Sequence, residues 1–181
     1  MTAATNWCVI TGGPSSGKST VIRSLKDLGY KTTTELARHY IDLQRMNGRD
    51  TEEIRANQRQ FQHKVLNLQV ELERKLDPRK LIFFDRALPD EVAYYKYFKL
   101  EPDEKLVEYL KKASYKQIFI MDLLPLDQDY ARTEDQQAQI ELHNLIIGVY
   151  KERGEPIVFV PVLPVKERVQ FVLDHLAELP A

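Results

Sequence analysis

A single cysteine, Cys8, occurs in 181 residues, which excludes an internal disulfide framework. It lies in an apolar run, where a buried strand thiol is expected. No apolar stretch approaches the ~20 residues that span a bilayer. The N-terminus has no basic segment followed by a hydrophobic one, so no signal peptide is expected and a reduced, cytoplasmic setting follows. Charge of one sign is missing too: 26 basic residues stand against 27 acidic ones, a net charge of −1. With no basic stripe and no polybasic run, general nucleic-acid binding and electrostatic attachment to lipid are argued against. The histidines His39, His63, His143 and His175 show no metal-ligand spacing; the last three lie in helical runs and are expected at the surface or half-buried. There is no internal repeat, low-complexity tract or linker. Hydrophobic residues make up 43% of the chain, enough for a core, and one domain over residues 1–181 is expected.

What is present begins with Gly12-Gly13-Pro14-Ser15-Ser16-Gly17-Lys18-Ser19, a complete G-x-x-x-x-G-K-[ST] loop. The apolar run Trp7-Cys8-Val9-Ile10 precedes it, and a helix-compatible run from Thr20 to Leu25 follows, the context that gives this motif its meaning. Such a backbone curls so that several N–H groups face one anion, and the helix after it adds the positive end of its dipole. Lys18 is expected to reach the β- and γ-phosphates of a nucleotide, Ser19 to offer its hydroxyl to Mg²⁺, and the residues from Gly12 to Thr20 to form the cradle.

Strand-like runs alternate with helical spacing along the chain. The strand candidates are Trp7 to Thr11, Tyr30 to Thr34, Leu81 to Phe84, Gln117 to Met121 and Pro156 to Val160. Helical stripes are Val21-Ile22-Leu25-Leu28; Ile54, Phe61, Val65, Leu68 and Leu72; Ala138, Leu142, Leu145, Ile146 and Val149; and Val165, Val169, Val172, Leu173 and Leu176. Non-alternating strands separated by helices imply an α/β fold with a five-stranded parallel sheet flanked by helices. The segment from Asp50 to Asp77 reads as one helix of ~40 Å at 1.5 Å per residue, long enough to project or to cover a cleft.

Further polar residues stand where such a sheet puts its ligands. Asp85 follows the apolar Leu81-Ile82-Phe83-Phe84 and is expected at the carboxyl end of a strand, to hold the hydration shell of Mg²⁺ or to cap the next helix. Arg86 and Asp90 share a face if a helix begins there; they form either a substrate-binding pair, the Arg for an anion and the Asp for paired hydroxyls, or a surface salt bridge. Glu35 closes the second strand candidate with Arg38 three residues on. It is placed either to take a proton from an attacking hydroxyl or merely to sit at a helix start. Residues 125–136 are polar and lie between a strand and a helix. They read as a lid carrying Arg132 toward a transferring phosphoryl group, or as a solvated loop. Pro161-Val162-Leu163-Pro164-Val165 is a stiff apolar loop, suited to flank a flat base with Pro164 or simply to connect strand and helix.

The ordered set runs the whole chain: the loop at Gly12 to Ser19, Glu35-Leu36-Ala37-Arg38, Phe84-Asp85-Arg86-Ala87-Leu88-Pro89-Asp90 with Ala93-Tyr94-Tyr95, Arg132-Thr133-Glu134, and Pro161 to Val165 with Glu167-Arg168. This resembles the small AAA-type P-loop ATPases related to the ribosylnicotinamide kinase domain, a group similar in turn to deoxynucleoside and nucleotide kinases. The resemblance implies a three-layer P-loop NTPase of nucleotide-kinase-like fold. It assigns Glu35 as base or hydroxyl-orienting acid, Asp85 and Arg86 to metal and acceptor, and Arg132 to transferring charge. The departure is Ala87, where the family's D-R-G has glycine.

The expected function is an MgATP-binding phosphotransferase that moves the γ-phosphate to a hydroxyl of a small nucleoside-like acceptor; GTP is an alternative nucleotide. The alternative class is a nucleotide-binding regulatory NTPase with slow ATP or GTP hydrolysis, coupled to a protein or lipid partner. The chain has no Asn-Lys-x-Asp signature, which argues against an ordinary GTPase switch. Its neutral charge argues against a DNA- or RNA-linked ATPase.

Overall fold

A computed structural model describes residues 4–126 and 135–177. In chain order its elements are β1 (Trp7–Thr11), α1 (Lys18–Asp27), α2 (Leu36–Met46), α3 (Thr51–Arg55), α4 (Gln58–Lys75), β2 (Ile82–Asp85), α5 (Leu88–Tyr97), α6 (Glu104–Leu110), β3 (Gln117–Met121), α7 (Gln136–Arg153), β4 (Ile157–Val160) and α8 (Val165–Ala177).

The strands form one sheet in the order β2-β1-β3-β4. All neighbours are parallel, with Val9 opposite Phe84 and Ile118, and Ile120 opposite Phe159. A parallel sheet is covered on both faces, which is why β1 to β3 read as continuous apolar runs. Alternate side chains go to opposite layers. Trp7, Val9, Ile82, Phe84, Ile118 and Ile120 pack with Ala93 of α5 and Ile146, Val149 and Tyr150 of α7. Cys8, Ile10, Phe83, Phe119 and Met121 pack with Val21, Ile22 and Leu25 of α1 and Val169 and Val172 of α8. Three layers result. A smaller cluster of Ile41, Ile54, Phe61 and Val65 binds α2, α3 and α4 together beyond the sheet.

Five strands are expected; among the described residues four form. Tyr30 to Thr34 contributes a single bridge, Thr32 to Phe83. Two backbone bonds start a parallel ladder there, Phe83 N–H to Lys31 O and Thr33 N–H to Phe83 O, both 2.9 Å. The next rung would take Asp85 N–H to the Thr33 carbonyl. Instead that N–H donates to the Thr33 hydroxyl at 3.0 Å, so a side chain replaces the backbone acceptor and the ladder stops. The segment still runs beside β2 far enough to deliver Glu35 next to Asp85.

The stretch from Asp50 to Asp77 is two helices, not one. Asn57 adopts an extended conformation and its side chain accepts the Gln60 N–H, capping α4. Asp50 caps α3 by accepting Glu53 N–H at 2.7 Å. An Asn that bonds its own backbone competes with helix continuation. With the break, Ile54 of α3 packs with Phe61 and Val65 of α4, and Arg55 lines a cleft beside them. Among the described residues no helix is long and apolar enough to cross a membrane.

Candidate nucleotide and acceptor site

The loop after β1 reaches α1 through Gly17, whose φ of 77° is left-handed and therefore suits glycine. No side chain caps α1 and its first turn holds no acid, so its N-terminal N–H groups have no anionic residue of their own helix to meet. Ser15 is also left-handed, at φ 54°, a conformation costly for a side-chain-bearing residue and found where surrounding structure imposes it. Lys18 is 1% exposed. Its Nζ donates to Gly13 O at 2.8 Å and to Ser16 Oγ at 3.1 Å. From α8, Arg168 donates to Ser16 O at 2.8 Å. Two cations thus brace the loop through its own oxygens.

Ser19 Oγ lies 3.4 Å from Asp85 Oδ2, so the helix start and the end of β2 face each other as expected from sequence. Asp85 is buried, and among the described residues its Oδ1 has no hydrogen-bond partner. Burial pushes its carboxyl above the usual carboxylate range and the charge of Glu35 adds to this, while Lys18 and Arg86 oppose it. A hydroxyl and a carboxylate with an orphaned oxygen form a hard, oxygen-only donor set, which fits a hydrated Mg²⁺.

Arg86 joins β2 to α5 with φ 66°. Its Nε is 3.3 Å from Glu35 Oε1 and its Nη1 is 3.0 Å from Asp90 Oδ1. The guanidinium also stands over the Tyr94 ring, 5.3 Å from its centroid. Glu35 is the residue before α2, yet its side chain makes no capping bond; the carboxylate turns to Arg86, with Arg38 Nε 3.9 Å from its other oxygen. Glu35, Arg38, Asp85 and Arg86 therefore meet on one cleft, shared with Ile41 of α2 and Phe61 and Val65 of α4. The cleft and its open mouth together take in about 700 Å³.

Asp90 is placed differently from the expectation that it meets substrate hydroxyls. It is completely buried. Oδ1 accepts from Thr11 Oγ1 and Arg86 Nη1, and Oδ2 accepts from Ala87 N–H at 3.1 Å and Tyr150 OH at 2.7 Å. With both oxygens occupied, it holds Arg86 instead. Ala87, the departure from D-R-G, has an extended φ of −146° that any residue adopts, so glycine is not required there. Thr20 and Pro164, expected beside the nucleotide, are exposed, on α1 and before α8. Arg132 and residues 127–134 of the expected lid lie outside the described residues.

Sequence reasoning missed the residue beside Asp90. Glu91 is 6% exposed and lines the cleft, and its Oε2 has no hydrogen-bond partner among the described residues. Burial pushes its carboxyl up to about 8, with Asp90 adding and Arg86 opposing. It missed Gln62 and Gln69 too, buried on the cleft side of α4. The available signal was their spacing, one and four positions after Phe61 and Val65, which keeps them close to the apolar stripe of the same helix.

A central parallel strand feeding a phosphate loop, with a strand-end acid facing the loop's serine, defines a P-loop nucleotide-binding protein. Residues 7–168 match the AAA domain family, and the chain belongs to it. No curated protein matches the chain. Among solved structures it is similar to deoxyadenosine kinase from M. mycoides with the products dCMP and a flexible dCDP bound (TM-score 0.66, 16% identity, 96% of this chain and 100% of that one). It is also similar to NadR protein in complex with NR (TM-score 0.69, 16% identity), and to NadR in complex with NAD and AMP-PNP (TM-score 0.68, 17% identity). These last two likenesses cover 96% of this chain and 50% or 49% of the NadR chains. At such identities the shared property is the fold.

Proposed function

We propose that the protein is a phosphotransferase that moves the γ-phosphate of MgATP to a hydroxyl of a small nucleoside-like acceptor. The observation that carries this reading is the meeting of Glu35, Asp85 and Arg86 on a cleft that opens beside the phosphate loop. A nucleotide-binding switch needs the loop and the acid; it has no need of a second, half-apolar cleft with its own carboxylate and guanidinium. The dCMP and dCDP bound to deoxyadenosine kinase and the NR bound to NadR support the same reading.

In this mechanism the loop and Lys18 hold the β- and γ-phosphates. Arg86 and Arg38 orient the acceptor, whose flat part lies along Ile41, Phe61 and Val65. Mg²⁺ bound through Ser19 and Asp85 would neutralise phosphate charge. Glu35 takes the proton of the attacking hydroxyl as its oxygen bonds to the γ-phosphorus, and the bond from that phosphorus to the β–γ bridging oxygen breaks, releasing ADP. Arg132 is assigned to the charge on the transferring group. Asp90 keeps Arg86 in place. Glu91, protonated at neutral pH, offers the acceptor both a donor and an acceptor of hydrogen bonds. Most of the rate comes from alignment and fixed charge.

The experiment is ADP release from MgATP against purine and pyrimidine nucleosides, their deoxy forms, nicotinamide riboside and nucleoside monophosphates, with Lys18→Ala as the blank. One acceptor that lifts turnover well above hydrolysis, and fails to do so in Glu35→Gln, is expected. Flat, slow hydrolysis across the panel with tight nucleotide binding refutes the transferase and favours the regulatory NTPase.

A further inference from the structure

Gly13, the second residue of the phosphate loop, is pressed against α7. A Cβ added there would stand 2.9 Å from each of Gln139 O, His143 Cβ and Leu123 Cδ2. The contact is polar as well as close. Gly13 N–H donates to His143 Nδ1 at 3.1 Å. One turn earlier on the same helix, Gln139 Nε2 donates to Pro14 O at 3.1 Å and to Leu124 O at 3.0 Å. Leu124 N–H in turn donates to Ser15 O at 3.0 Å. Three consecutive loop residues are thus tied, directly or through Leu124, to the helix behind them. The opposite side of Gly13 serves the site itself, because its carbonyl accepts Lys18 Nζ.

We propose that α7 sets how tightly the loop binds a nucleotide, with His143 as a positioning residue that must be neutral to hold Gly13. This rests on the reading of the loop as a nucleotide site. Neutral imidazole has one acceptor nitrogen, and here Nδ1 fills that role, so the proton is on Nε2. Imidazolium has N–H on both nitrogens. Protonation would set two donors against each other, release Gly13, and loosen the seat of Lys18 on the other side of the same residue. The charged groups facing the ring are Asp122, after β3, and Lys18. Burial holds the imidazole below its ordinary range, with Asp122 pulling it up and Lys18 pushing it down.

The test is calorimetric titration with MgADP between pH 7.5 and 5.0, for wild type, His143→Gln and His143→Leu, with Lys18→Ala as the blank and folding checked by thermal melting. The Gln amide oxygen can accept the Gly13 N–H and does not titrate. We expect His143→Gln to bind within a few-fold of wild type at pH 7.5. As the pH falls, wild type is expected to lose more affinity than His143→Gln, and His143→Leu to be about tenfold weaker already at pH 7.5, the cost of a buried N–H left unpaired. Comparing the variants cancels titration of the nucleotide and of other groups. Parallel pH profiles for wild type and His143→Gln, or full affinity in His143→Leu, overturn the proposal while leaving the nucleotide site intact. Failure of wild type to bind MgADP at any pH overturns both.

Discussion

Arg86, in the link before α5, and Asp90, in that helix's first turn, stand with Nη1 and Oδ1 at 3.0 Å, and the Asp is wholly enclosed. Removing one member of such a pair leaves an uncompensated buried charge. Asp90→Ala is expected to cost about 3–5 kcal/mol, read as a lower urea midpoint at unchanged slope. In a double-mutant cycle Arg86→Ala with Asp90→Ala is expected to cost less than the sum of the two. Additivity would sink the idea that Asp90 acts on Arg86.

The Thr33 hydroxyl takes the backbone N–H of Asp85 at 3.0 Å. Thr33→Val keeps the shape and strands that buried N–H, at an expected cost of about 1–3 kcal/mol. Thr33→Ser is expected to recover most of it in the same thermal or urea measurement. Equal stability of Val and Ser variants would mean that water or a carbonyl replaces the hydroxyl.

Ser19 and Asp85 are 3.4 Å apart, with one Asp oxygen unsatisfied. Chelation of Mg²⁺ is expected to abolish turnover. Asp85→Asn is expected to raise the Mg²⁺ concentration for half-maximal activity by about 10- to 100-fold, the usual scale for residues that hold a metal or its shell. An unchanged Mg²⁺ requirement would remove Asp85 from that role.

Glu91 has its carboxyl raised to about 8 and Glu73 to about 7, both chiefly by burial. A raised carboxyl means that the folded state holds protons which the unfolded state has released. Stability contributed by the protonated form is therefore lost as pH rises from about 4.5 toward 8. Glu91→Gln cannot ionise, so its urea midpoint is expected to fall less over that window, the gap between the proteins reaching a few kcal/mol, as an order of magnitude. A constant gap across the window would contradict a protonated Glu91.

Much of the architecture was legible because contiguous residues carry it. β1, β3 and the phosphate loop lie where their apolar runs and glycines stand, and Asp85 is an acid directly after an apolar run. Such signals survive because backbone pairing and helix capping act over a few residues. Arg86 and Asp90 do pair, but not along a shared helix face: Arg86 lies before α5 with φ 66° and reaches back to the helix's first turn. Their spacing did not announce that Thr11 and Tyr150, 79 and 60 residues away from Asp90, would fill the carboxylate and turn a candidate substrate ligand into a brace.

The sequence by itself determined the α/β alternation, the phosphate loop and the acids that end up around it. Tertiary structure decided the count of strands, because one threonine hydroxyl displaced a carbonyl in the ladder. It decided that Glu91, not Asp90, faces the cleft, since adjacent helix positions point about 100° apart and only packing chooses which is inward. It also decided that His143, from a helix 130 residues further along the chain, holds the loop. Hydrogen bonds and burial between distant segments are satisfied in three dimensions, and nothing in local spacing encodes which partner arrives.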